Sequence, residues 1–192
     1  MSKEPELKYP ELYSRWRNVK SENDLRKVDS YLVGIWLDDY FRLVDPAPSN
    51  VVRTSDSGFW YLYDVHQGRL IAAWGISKGK SNVLRDRSRM SGHPLSNGAL
   101  FHRGHAIPHQ MGGSADINLV PQLGMVNQGK FKERENTATR SPGALYFTYW
   151  VYKNSDTHIP DKSLDTQTPA WVQQAVLLPE KPADARWFEN SL

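Results

Sequence analysis

Three of the six histidines, with two arginines and several asparagines, fall within Phe101 to Asn136, FHRGHAIPHQMGGSADINLVPQLGMVNQGKFKEREN. Those residue types share a chemistry. Hydrolysing a phosphodiester needs a base to take a proton from water and positive charge to stabilise the oxyanion as it develops. A histidine supplies the base near neutral pH. A hard divalent ion on oxygen ligands, such as an Asn amide, supplies the charge together with an Arg. His105, Arg103 and Asn127 are the right types in suitable positions. Types and spacing reach this chemistry without singling out one class of enzyme.

Positioning such side chains takes a compact unit. Ala99 to Ile107 reads as a strand broken by polar residues, and Asp116 to Pro121 as a second short strand. Met125 to Ala138 reads as one helix whose interior glycine is Gly129. Strand, loop, strand and helix would set a His of the first strand opposite side chains of the helix. The spacing of His102, His105 and His109 also permits three imidazoles on a transition metal. On a strand, His102 and His105 face opposite sides, which argues against a shared ion.

The order of these residues resembles the core of the DNA/RNA non-specific endonucleases of the ββα-metal (His-Me finger) superfamily. It is most similar to the branch found as toxin domains of bacterial polymorphic and secreted effectors. The matching elements are Arg103-Gly104-His105-Ala106-Ile107, Gly112-Gly113, Asn118-Leu119-Val120-Pro121-Gln122, Asn127 and Glu135. The resemblance implies a metal-dependent endonuclease acting on DNA and/or RNA, with little base preference and a 5′-phosphate product. In it His105 would be the general base on water, and Arg103 would stabilise the pentacovalent transition state or bind the leaving phosphate. Asn118 would orient the His loop or the scissile phosphate, with a simple hydrogen bond to backbone as the competing role. Asn127 would hold Mg²⁺, for which Mn²⁺ could substitute, unless it is only a helix N-cap. Glu135, about two helical turns further on, would hold the ion's waters or reach the ion, unless it is a solvated partner of Lys or Arg.

One departure is His102, where many relatives carry Asp; it removes a carboxylate that would orient the Arg or the base. The branch further implies an effector acting in a rival cell, with a cognate immunity protein in the producer. The alternative on the same fold is a catalytically inactive module that binds nucleic acid or a partner.

The 192 residues, 39% hydrophobic, suit one domain with a sizeable core. The expected division is a flexible lead over 1–22, a single nuclease-like domain over 23–179 with its ββα core at about 99–138, and a tail over 180–192. Net charge is +3, compatible with a polyanionic partner but too small to argue for one. Ser77 to Asn97 reads as an irregular, basic connection. Its Arg85, Arg87 and Arg89, with Lys130 further on, are the candidate nucleic-acid contacts. There is no cysteine, which excludes disulfides, thiolate zinc sites and a thiol nucleophile. The charged N-terminus lacks the apolar core of a Sec signal, and no run is long enough to span a membrane. The expected location is the cytoplasm, or outside the cell by a specialised secretion route.

Residues 1–20 read as a flexible lead or a first short helix. Leu25, Val28, Leu32, Ile35, Trp36, Tyr40 and Leu43 recur at helical spacing, with Asn23-Asp24 as a cap and Asp45-Pro46 as a stop. Pro46 to Gly58 reads as polar loop. Phe59–Val65 and Leu70–Ile76 read as a hairpin turning at His66–Arg69, and Ala144–Tyr152 and Gln174–Leu178 as further strands. The tail from Glu180 carries Trp187-Phe188, which could dock. The expected fold is α+β: a mixed, mostly antiparallel sheet with flanking helices and a ββα-metal core.

Overall fold

A computed structural model describes residues 4–43, 50–84, 88, 101–152, 168–182 and 184–190. Of the two expectations for the first twenty residues, the short helix is present: α1 (Leu12–Arg17) buries Leu12 and Trp16. The stripe Val28, Leu32, Trp36, Tyr40 is the buried face of α2 (Glu22–Leu43), since residues four apart share one side of a helix. Its cap differs from the expected Asn23-Asp24. Ser21 Oγ accepts the Asp24 N–H at 3.2 Å and donates to the Asp24 carboxylate at 2.8 Å. Ser21 thus closes the first turn from outside it.

Among the described residues the strands form one six-stranded sheet and one two-stranded ribbon. The ribbon comprises β4 (Phe101–His105) and β5 (Leu119–Leu123). In the large sheet the strands are β1 (Val51–Asp56), β2 (Phe59–Asp64), β3 (Arg69–Ile76), β6 (Leu145–Val151), β7 (Trp171–Leu177) and β8 (Asp184–Glu189). They lie in the order β1-β2-β3-β6-β7-β8, and every ladder is antiparallel. The α+β class holds, with no parallel pair among these residues.

Two strands depart from the expectation. β1 lies in the stretch read as polar loop; five of its six residues are exposed, and its ladder with β2 makes it a strand. β8 lies in the stretch read as a tail. Its Trp187 packs edge-on to Tyr149 and its Phe188 on Phe131, which fixes the C-terminal residues to the sheet.

The apolar run of β6 is buried on both faces, and its alternating side chains show why. Phe147 and Tyr149 pack on Trp36 of α2, with ring centroids 5.3 and 6.1 Å away. Thr148 and Trp150 point the other way. Thr148 Oγ1 donates to Ala106 O at 3.3 Å, and Trp150 packs on Phe131. The long helix therefore covers one face of the sheet, and the unit built on the ribbon covers the other.

Candidate active site

The site begins with the ribbon's register. Arg103 pairs with Pro121 and His105 with Leu119, while His102 pairs with Gln122 and Gly104 with Val120. Alternation puts Arg103 and His105 on one face and His102 and Gly104 on the other. Gly104 is required by contact: a Cβ there would lie 2.1 Å from Gln122 Oε1 and 2.8 Å from Gln122 Cβ. His102 lies beside Gly124, where a Cβ would come within 2.9 Å of its Nε2. It faces away from His105, so the three-imidazole arrangement is not formed.

The loop from β4 to β5 is held by Asn118, which is fully buried. Its amide oxygen accepts the Ile107 N–H at 2.6 Å, and its amide nitrogen donates to Ile107 O at 2.7 Å and Ser114 O at 3.0 Å. Every bond of this side chain goes to loop backbone. Gly113 fits into the same turn, since a Cβ there would lie 2.0 Å from Ile107 O. The loop carries a 3-10 turn, His109–Met111, that brings His109 beside His105 with ring centroids 5.8 Å apart.

The helix expected over Met125 to Ala138 is two helices. α3 (Gly124–Gln128) ends and α4 (Lys130–Thr139) begins at Gly129, whose φ of −94° and ψ of −129° are not helical. Counting helical turns from Asn127 to Glu135 is therefore invalid across this break. Asn127 lies inside α3, and the N-cap positions belong to Leu123 and Gly129, so it does not serve as a cap. α4 turns Phe131, Arg134 and Ala138 inward at helical spacing. Arg134 donates to Asp184 Oδ2 at 2.7 Å, to Gln174 O at 3.0 Å and to Asp184 O. Burial would raise the Asp184 carboxyl, but hydrogen bonds and charge from Arg134 and Arg186 outweigh it and hold the group below its ordinary value.

These elements converge on a cleft of about 480 Å³ whose lining includes Arg103, His105, Asn127 and Glu135, together with His109 and Lys132. Of the expected site residues, the cleft gathers these first four. Asn118 stands behind it in the loop. Lys130 opens α4, and Arg85, Arg87 and Arg89 lie outside the described residues. His109 and Lys132 are additions. His109 stands out in the sequence only by its spacing from His105, and loop geometry, which spacing does not report, turns it into the cleft.

The donor set suits a hard cation. Asn127 offers an amide oxygen that makes no hydrogen bond among the described residues, and Glu135 a carboxylate in the same cleft. No group of three His, Asp or Glu side chains among the described residues could hold a metal. Two oxygen donors in one cleft suit a hard divalent ion that keeps several of its waters.

The antiparallel ribbon and the helical segment after it form a ββα unit, with His105 and Arg103 from a strand and Asn127 and Glu135 from the helices on one cleft. Residues 67–160 match the family model of the DNA/RNA non-specific endonucleases. A chain in the crystal structure of the EndoG/EndoGI complex, which concerns the mechanism of EndoG inhibition, overlays on this one with a TM-score of 0.48. The overlay has 15% identity over 81% of this chain and 80% of that one. No curated protein matches the chain.

Proposed function

We propose that this protein is a metal-dependent, non-specific endonuclease that hydrolyses internal phosphodiester bonds of DNA and/or RNA. The observation that carries the reading is the single cleft shared by Arg103, His105, Asn127 and Glu135. His105 takes a proton from water as the water oxygen attacks phosphorus. The bond to the 3′ oxygen breaks, which leaves a 5′-phosphate. Arg103 places a fixed positive charge beside the phosphoryl oxygens, where charge accumulates. Asn127 and Glu135 would hold Mg²⁺, or Mn²⁺ in its place, which supplies Lewis-acid stabilisation of the departing oxygen. Asn118 acts at one remove, by fixing the loop that follows His105. Lys130 and the arginines at 85, 87 and 89 add sequence-independent attraction to phosphates.

The likeness to bacterial toxin domains supports a role as an antagonistic effector whose producer carries an immunity protein. Growth arrest on expression, lost in His105→Ala and relieved by a neighbouring gene product, is the expected result.

Purified protein incubated with supercoiled plasmid and with total RNA, under Mg²⁺, Mn²⁺ or EDTA, tests the activity. Cleavage lost both in EDTA and in His105→Ala supports the nuclease. Folded protein that cuts neither substrate under any metal overturns it in favour of an inactive binding module.

A further inference from the structure

His105 and His109 line a second cleft as well, of about 600 Å³, and they are the two residues it shares with the first. The two clefts therefore meet at these histidines. Lys78, Lys80, Val83 and Leu84 line the second cleft. Their segment is tied to the turn that carries His109, because Ser81 N–H donates to Gln110 O at 2.7 Å. Among the described residues neither lysine forms an ion pair, whereas Arg26 and Lys27 on α2 reach Glu22 and Asp24. Val83 is 68% exposed and Leu84 91% exposed.

We propose that the second cleft is a nucleotide subsite next to the scissile bond. Lys78 and Lys80 hold the neighbouring phosphate there, and Val83 and Leu84 lie against the sugar and base. The proposal rests on the nuclease reading and specifies the path of its substrate. A polymer cut internally must leave the reaction cleft in both directions, and a second cleft lined by the same general base provides the second exit. Cations beside exposed aliphatic side chains fit a ligand that is anionic along its backbone and apolar on its ring faces. A free phosphate would leave the aliphatic residues without a role. Asp56 and Asp116 also line this cleft, and carboxylates there can accept from the exocyclic amino groups of bases.

The test compares Lys78→Ala/Lys80→Ala, Val83→Ser/Leu84→Ser and, as a charge control, Arg26→Ala/Lys27→Ala. Each is made in the active protein and in the His105→Ala background, where a fluorescent single-stranded 20-mer remains intact during binding. The subsite requires Kd to weaken about tenfold in the lysine variant, its log Kd against log salt slope to fall by about 1, and a smaller loss in the aliphatic variant. In the active protein KM rises by a similar factor while kcat stays within twofold. The α2 control, which removes the same charge, matches its parent, and all variants melt like theirs. Unchanged affinity in the lysine variant, or an equal loss in the α2 control, overturns the subsite and leaves the nuclease standing. A parent protein that fails to cut overturns the nuclease reading instead, and with it the place of this cleft beside a scissile bond.

Discussion

At the scale of single residues, chemistry and support are assigned to different side chains. His105→Ala should lower cleavage by about 10² to 10⁴-fold, the range for loss of a general base, with oligonucleotide binding retained. Glu135→Gln and Asn127→Ala should instead raise the Mg²⁺ concentration needed for half-maximal rate, and isothermal titration with the metal alone should show weaker binding. Asn118 belongs to the supporting set. Removing its amide strands buried backbone groups of Ile107, so Asn118→Ala should cost about 2–4 kcal/mol in denaturant unfolding. Activity should fall even in fully folded protein, because the loop after His105 loses its clamp.

At the scale of elements, the break at Gly129 frees the angle of α4 from that of α3, and contacts from the large sheet then set α4. Phe131 packs on Trp150 and Phe188, and Arg134 reaches Asp184 and Gln174. The Asp184 carboxyl titrates below its ordinary value in the folded chain. The ion pair therefore adds stability above the ordinary carboxylate range and loses it as pH falls through the folded value. Asp184→Asn should melt below the parent near neutral pH, and the gap should close in acid. A gap that stays constant with pH would show that the pair does not anchor α4.

At the scale of the molecule, β8 and the residue after it join the two sheets. Asn190 accepts the Leu123 N–H at 2.7 Å and donates to Pro121 O at 3.0 Å and Pro169 O at 2.7 Å. The same segment supplies Phe188 to Phe131 and Asp184 to Arg134. Truncation before Asp184 should abolish cooperative unfolding by circular dichroism rather than shed a dispensable end. Asn190→Ala should cost about 1–3 kcal/mol, with hydrogen exchange rising first in β5. No helix among the described residues is long and apolar enough to cross a membrane.

Legibility followed the range of the forces involved. The stripe of α2, the β2–β3 hairpin, the run of β6 and the ordered motif from Arg103 to Glu135 could be read in the sequence. Periodicity and turn chemistry act between residues a few positions apart. Tertiary structure decided the rest. β1 and β8 are edge strands whose exposed residues carry little apolar signal, so strands elsewhere in the chain made them strands. Asn118 could be read as a clamp or a phosphate contact until Ile107 and Ser114 lay within its reach. Spacing along a single helix does not put Asn127 and Glu135 in the same cleft, since the helix breaks between them. The sheet behind α4 holds Glu135 at the cleft, through side-chain contacts that join residues far apart in the sequence.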